Sequence, residues 1–137
     1  MLALDQIREN SGCLHPRCVL CGPQNPWKLR LQFVPGEDGS VRTTFRGHRR
    51  LQGYEGILHG GVIASLLDAA MTHCLFHHGV HAVTAALDIR YLESVPLQVP
   101  LVVTAWPVSM RPMLYRLRAE LEWQGRVLAS AEARFMP

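Results

Sequence analysis

Along most of its length the chain alternates apolar and polar residues with a period of two, and one segment near the middle abandons that alternation for an almost unbroken apolar run. Val83, Ala85, Leu87, Ile89 and Tyr91 fall on one face of a predicted strand and Thr84, Asp88 and Arg90 on the other, up to the break at Ser94 to Pro96. Leu101 to Ser109 reads as a further strand. Pro107 cannot donate to a ladder, so a bulge or bend is expected there. Tyr115, Leu117, Ala119, Leu121 and Trp123 oppose Arg116, Arg118, Glu120 and Glu122. Beyond the hairpin signal Gln124-Gly125, the apolar face continues through Val127, Ala129, Ala131, Ala133 and Phe135. Upstream, Leu29, Leu31 and Phe33 alternate with Arg30 and Gln32. After the turn-rich PGEDGS, Val41, Thr43 and Phe45 alternate with Arg42, Thr44 and Arg46, which predicts a first hairpin.

Each strand thus has one wet and one dry face, as in an antiparallel sheet covered on a single side. The cover is the segment HGGVIASLLDAAMTHCLF, which lacks proline and has too few polar positions for a surface helix. It predicts one long central helix over about residues 59–78. The small residues Ala129, Ala131 and Ala133 would let that helix approach closely.

Asp68 is the one carboxylate in this run, and burying it is costly unless it has hydrogen-bonding partners or chemical work. Gly60, at the predicted helix start, lies eight residues before it. At about 1.5 Å per residue the two are roughly 12 Å apart along the axis. One reacting atom cannot meet both in one chain. Two such helices packed antiparallel about a two-fold axis would bring Gly60 of one copy level with Asp68 of the other, so the spacing predicts a dimeric site. Gly60 and Gly61 would also suit close helix-to-sheet packing, and Ser65, Asp68 and Thr72 would suit a solvent-facing stripe. The spacing of Asp68 after His59-Gly60-Gly61 selects the functional reading.

The segments CVLCGPQNPWKLRLQF, QGYEGILHGGVIASLLDAAM, TAALDIRYLESVP and QGRVLASAEARF, which span about residues 18–136, resemble the hotdog-fold acyl-CoA thioesterases. More specifically, they resemble the PaaI-like branch of the hydroxybenzoyl-CoA thioesterase superfamily. The resemblance implies an α+β fold in which five or six antiparallel strands wrap around the central helix, forming an edge-to-edge homodimer or a dimer of dimers with shared sites. It implies a thioester hydrolase acting on a small aryl- or medium-chain acyl-CoA without a cofactor. By the same resemblance Gly60 offers its N–H to the thioester carbonyl, Asp68 is general base or nucleophile, and Thr84 holds the water or the acid. His59, Gly61 and Gln52 support substrate binding. A helix N-terminus suits the first role because its N–H groups and dipole favour an incipient oxyanion. Thr84 shares the parity of Asp88 and Arg90, which would place it on the wet face. His59 reads as a helix-start residue bonded to backbone rather than as a base.

Two rivals remain in view. A hotdog enoyl-CoA hydratase would use Asp68 with His73, but five residues rotate a helix by about 140° and point the two side chains apart. A non-catalytic acyl-CoA-binding protein would keep fold and pocket yet hydrolyse nothing.

The chain has 137 residues, 48% hydrophobic and 18% charged, with a net charge of +3, which fits a single packed domain. Residues 1–27, rich in Cys, Pro and Asn, read as an arm, and 28–137 as the hotdog domain. There is no Lys/Arg tract for a nucleic-acid duplex and no apolar run of membrane-spanning length. The charged opening MLALDQIREN is unlike a signal core, so a cytoplasmic location is expected. Cys13, His15, Cys18 and Cys21 have the donor types and spacing of a zinc knuckle. Cys18 and Cys21 also resemble a CxxCG segment of relatives not known to need metal, and no metal is assigned. His73, His77, His78 and His81 read as residues bonded near a helix end. His48, Arg49, Arg50, Arg90 and Arg111 are candidate phosphate contacts that read first as solvated surface charges.

Overall fold

A computed structural model describes residues 17–22, 24, 29 and 31–137. The elements are β1 (Val34–Pro35), β2 (Val41–Arg46), a 3-10 turn (Arg49–Leu51), α1 (Gly60–His77), β3 (Val83–Tyr91), β4 (Pro100–Arg111), β5 (Leu114–Trp123) and β6 (Arg126–Met136). All six strands join one antiparallel sheet in the order β1-β2-β4-β5-β6-β3. The sheet covers one side of α1, and the core lies between them. Leu66, Leu67, Met71 and Leu75 of the helix are sealed against Leu101, Val103, Leu117, Leu121 and Phe135 of the strands. Removing one such side chain, as in Leu67→Ala, costs about 2–5 kcal/mol.

The expected turns hold. Gln124 and Gly125 both take positive φ, 53° and 76°, the backbone that a tight two-residue hairpin requires. The β4–β5 register shifts between Pro107 and Ser109, so the bulge lies just past the proline. Ala129, Ala131 and Ala133 are all buried.

Two expectations need correction. The first hairpin is much shorter than its pattern predicts, since only Val34 and Pro35 pair with β2. Leu31 and Phe33 still alternate inward, but the Leu31 N–H reaches the Leu20 carbonyl at 3.4 Å, so this stretch is tied to the N-terminal segment instead. The second concerns β3. Its register against β6 shifts between Thr84 and Ala86, so Thr84 pairs with Phe135 and Leu87 with Ala133, both of them buried. Residues directly opposite on paired strands share a face. The bulge at Ala85 therefore turns Thr84 inward together with Leu87, Ile89 and Tyr91, against the wet-face parity.

Strand β3 has β6 on one side and no neighbour among the described residues on the other. Eight of its nine residues are exposed, including Val83, Leu87 and Tyr91. A long, apolar, unpaired edge is a ready template for another strand. Among the described residues no helix is long and apolar enough to cross a membrane. Cys13, His15 and most of the arm predicted over residues 1–27 lie outside the described residues.

Candidate active site

The approach to α1 is fixed by backbone bonds: Leu58 N–H to the Val95 carbonyl at 2.8 Å and His59 N–H to the Leu51 carbonyl at 2.9 Å. His59 is the N-cap, and its Nδ1 accepts the Gly61 N–H at 2.8 Å. Its carbonyl accepts two further N–H groups, from Val62 at 3.0 Å and Ile63 at 3.1 Å. An α-helix begins with four N–H groups that lack intrahelical partners. His59 takes those of Gly61 and Val62, and the Leu51 carbonyl takes that of His59 itself. Of the four, the Gly60 N–H alone has no acceptor among the described residues. The doubly bonded His59 carbonyl belongs to the same peptide unit and polarises that N–H further.

Gly60 faces an open cleft of about 730 Å³ walled by Tyr54, Ile57, Ile63, Tyr91, Leu92 and Val95. The Tyr91 hydroxyl donates to the Gly60 carbonyl at 2.8 Å, and its ring lies 3.5 Å from where a Gly60 Cβ would stand. The glycine is thus held from β3, the strand most exposed to solvent.

Asp68 occupies a separate place. Gly61, Ala64, Ser65, Asp68 and Thr72 form the half-exposed stripe of α1 that the sheet leaves uncovered. Ser65 and Thr72 bond back to the carbonyls four residues earlier, at 2.9 and 3.0 Å. The inward-turned Thr84 donates its hydroxyl to Asp68 Oδ1 at 2.6 Å, which leaves Oδ2 to accept another proton. Beside the pair, Thr72, Phe76, Ala82, Val83 and Thr84 line a second, mostly apolar hollow of about 510 Å³. Each chain therefore holds the helix-tip donor and the acid in two separate places. The donor sits at the helix tip and the acid about 12 Å along the axis, as eight residues at about 1.5 Å each require.

Residues 55–130, which contain both Gly60 and the Asp68–Thr84 pair, match the family model of the thioesterase superfamily. The chain belongs to this superfamily. Over 61 residues it is 41% identical to acyl-coenzyme A thioesterase THEM4 of Mus musculus, a match covering 44% of this chain and 26% of that protein. It thus spans about a quarter of the length of that curated relative. Among solved structures, a thioesterase superfamily protein superposes with a TM-score of 0.82 at 31% identity, covering 87% of this chain and 62% of the other. A Streptococcus mutans protein solved bound to acetyl CoA gives 0.72 at 25% identity, covering 77% and 86%. The architecture is the hotdog fold, with six strands.

In this superfamily member the structure brings Asp68 to Thr84 and gathers His59, Gly60 and Gly61 at the helix tip. It does not bring the two groups together within one chain. Gln52 does not line the cleft: its Oε1 accepts the Gly56 N–H at 3.2 Å and shapes the loop before the helix. His73 is buried, stacked on Phe33 at 4.5 Å and against Cys21, away from Asp68, which removes the geometric basis for a hydratase dyad. His48 caps the 3-10 turn through the Arg50 N–H. Arg49, Arg50, Arg90 and Arg111 are exposed outside the cleft. The cleft wall holds Glu93, ion-paired to Arg126. Tyr91 was not singled out by its sequence. Its parity pointed it inward, but its bond to Gly60 joins residues 31 apart and follows only from the fold.

Proposed function

We propose that this chain is an acyl-CoA thioesterase working as a two-fold homodimer, with each active site built from the α1 tip of one copy and the Asp68–Thr84 pair of the other. One observation carries the reading: a single helix holds an unshared N–H and a threonine-held acid too far apart to act together, beside a strand edge that has no neighbour among the described residues. Pairing β3 antiparallel with its symmetry copy would satisfy that edge and join two six-stranded sheets. It would also lay the uncovered stripes of the two helices side by side, and two such dimers could pair again.

In the assembled site the thioester oxygen accepts the Gly60 N–H. Asp68 Oδ2 takes a proton from water as the water oxygen bonds to the carbonyl carbon. Collapse of the tetrahedral oxyanion breaks the C–S bond, and the leaving CoA thiolate takes the proton that Asp68 holds. In the alternative route Oδ2 itself attacks, CoA leaves, and water hydrolyses the acyl-aspartyl anhydride. The cleft volume and its Tyr, Ile, Leu and Val wall suit a small aryl or medium-chain acyl group.

The test is subunit mixing. Gly60→Pro lacks the donor and Asp68→Asn lacks the base, so each pure dimer should be inactive in a thiol-release assay. Unfolded together and refolded in equal amounts, half of the dimers are mixed, and each mixed dimer holds one intact site. Activity should return to about a quarter of wild type. Refolded mixtures as inactive as the pure variants would defeat the shared site. Tight acyl-CoA binding by wild type with no thiol release from aryl or alkyl esters would defeat the enzyme.

A further inference from the structure

We propose that the two-fold axis of the homodimer passes beside Leu87, at the middle of β3, and that Arg134 of each copy reaches across Ala86 to the partner's Asp88. This deepens the dimer reading above and rests on it. On the face of the sheet turned away from α1, paired strands set like charges directly opposite each other: Arg116 stands against Arg134, and Asp88 against Glu132. All four are exposed, and like charges so placed are unfavourable. Glu132 leans to Arg118 at 4.0 Å, whereas Arg116, Arg134 and Asp88 form no ion pair among the described residues. A second copy supplies what each pair lacks.

Directly opposite residues share a face, so a two-fold axis normal to the sheet has to pass beside one residue of β3 rather than between two. An axis beside Leu87 gives Val83–Tyr91 its longest overlap with its copy. It also sets the Tyr91 end of each strand beside the Thr84 end of the other, which is how the helix tip has to meet the partner's acid. In this register Ala86 lies opposite the partner's Asp88. The row across the seam then runs Arg116, Arg134, Ala86, the partner's Asp88 and the partner's Glu132, and it recurs on the other side of the axis. Arg134 and the partner's Asp88 are two strand spacings apart, roughly 9–10 Å between backbones. An arginine crosses that span with its stem lying on the Ala86 methyl. An axis beside Asp88 would instead gather Asp88 and Glu132 of both copies into one row of acids. An axis beside Ile89 would match Asp88 with the partner's Arg90, but it would shorten the overlap to residues 87–91 and carry Tyr91 away from the partner's Thr84.

The experiment joins disulfide mapping to sedimentation of the full chain. Residues opposed on paired strands stand about 4.5–5.5 Å apart at Cα, inside the disulfide range, whereas a residue one place from the axis lies more than about 7 Å from its own copy. Leu87→Cys should therefore cross-link into a dimer on mild oxidation, well above the wild-type level, and Asp88→Cys and Ile89→Cys should not. Arg134→Glu and Asp88→Arg should each weaken the dimer at least tenfold, and the double variant should restore it. Each single swap removes a like-charged pair within the chain, so its melting temperature should hold and the loss is confined to the seam. A dimer that cross-links through Asp88→Cys or Ile89→Cys, or that keeps its affinity in both charge swaps, would overturn this register and leave the two-fold enzyme standing. A chain that stays monomeric at tens of micromolar, or a dimer without a cross-link at any of the three positions, would overturn the pairing of β3 itself.

Discussion

Gly60→Pro removes one hydrogen-bond donor and almost nothing else. Proline is disfavoured inside helices, but Gly60 is the first residue of α1, where its missing N–H deprives no intrahelical bond and its fixed φ suits the helix. The residue before a proline must be extended, and His59 already is, at φ −62° and ψ 135°. The bonds that hold the helix start run through the His59 N–H, the His59 carbonyl and the Gly61 N–H, and none uses the Gly60 N–H. A new Cβ would meet the Tyr91 ring at 3.5 Å, an ordinary contact. The variant should therefore fold. It should gain about 0.4–1 kcal/mol from a less flexible unfolded chain, which raises Tm by roughly 1–4 °C. Losing an oxyanion donor costs about 2.7–4 kcal/mol, so kcat should fall about 100- to 1,000-fold. Gly60→Ala keeps the N–H and should stay within about tenfold of wild type. Thiol release from an active acyl-CoA, read beside a melting curve, decides the matter. A Gly60→Pro protein with undiminished kcat would refute the donor role, whatever its stability.

Three other expectations follow from single contacts. Thr84→Val deletes the hydroxyl bonded to Asp68 Oδ1 while keeping the side-chain shape, so kcat should drop by about 10- to 100-fold with KM little changed; equal kcat would show that Thr84 has no part in holding the acid. Tyr91→Phe frees the Gly60 carbonyl and should lower kcat several-fold at unchanged Tm, and a purely structural tyrosine would give the reverse pattern. Burial raises the Cys74 thiol from 9.0 to about 12, with Asp38 adding to the rise. The unfolded thiol ionises first as pH increases, so the folded state binds the extra proton. Stability should fall between about pH 9 and 12, by up to about 1.4 kcal/mol per pH unit from this group. Urea unfolding across that range should show a shallower decline in Cys74→Ala, and an unchanged slope would contradict the reasoning.

The strands and the helix were legible because their periods differ and every buried face is also an apolar face, from Val41, Thr43 and Phe45 to Ala129, Ala131 and Ala133. The bulge after Pro107 was legible too, since proline removes a ladder donor. The bulge at Ala85 was not. Thr84 and Ala85 are both small, and nothing in a strict two-residue period marks an inserted residue, so the inferred face of Thr84 was inverted, and its hydroxyl bonds to Asp68. Leu31 to Phe33 kept its burial pattern but not its pairing, because alternation reports which side is dry and not which strand lies alongside. The Tyr91–Gly60 and His73–Cys21 contacts join distant parts of the chain and depend on register, which periodicity does not encode.

The identity of the cap carries the electrostatic logic of the helix tip. Helix starts favour Asp, Asn and Ser as N-caps, and a carboxylate would accept the Gly61 N–H as readily as an imidazole does. It would also place a full negative charge beside the Gly60 N–H, where a thioester oxygen has to become negative. Like charges about 4 Å apart repel by about 1 kcal/mol in bulk water and about 4 kcal/mol near a protein surface, against the roughly 3 kcal/mol that one oxyanion donor supplies. A charged cap would therefore cancel much of what the helix tip offers. His59 caps through Nδ1 without a carboxylate's charge. Accordingly His59→Asn should cap the helix and keep kcat within about tenfold, whereas His59→Asp should hold Tm at least as high, aided by the helix dipole, yet lose a further tenfold or more in kcat. The added loss should shrink as salt is raised, because the residue is exposed and its charge is screened. An Asp variant as active as the Asn variant at low salt would mean that no negative charge develops at this end of α1.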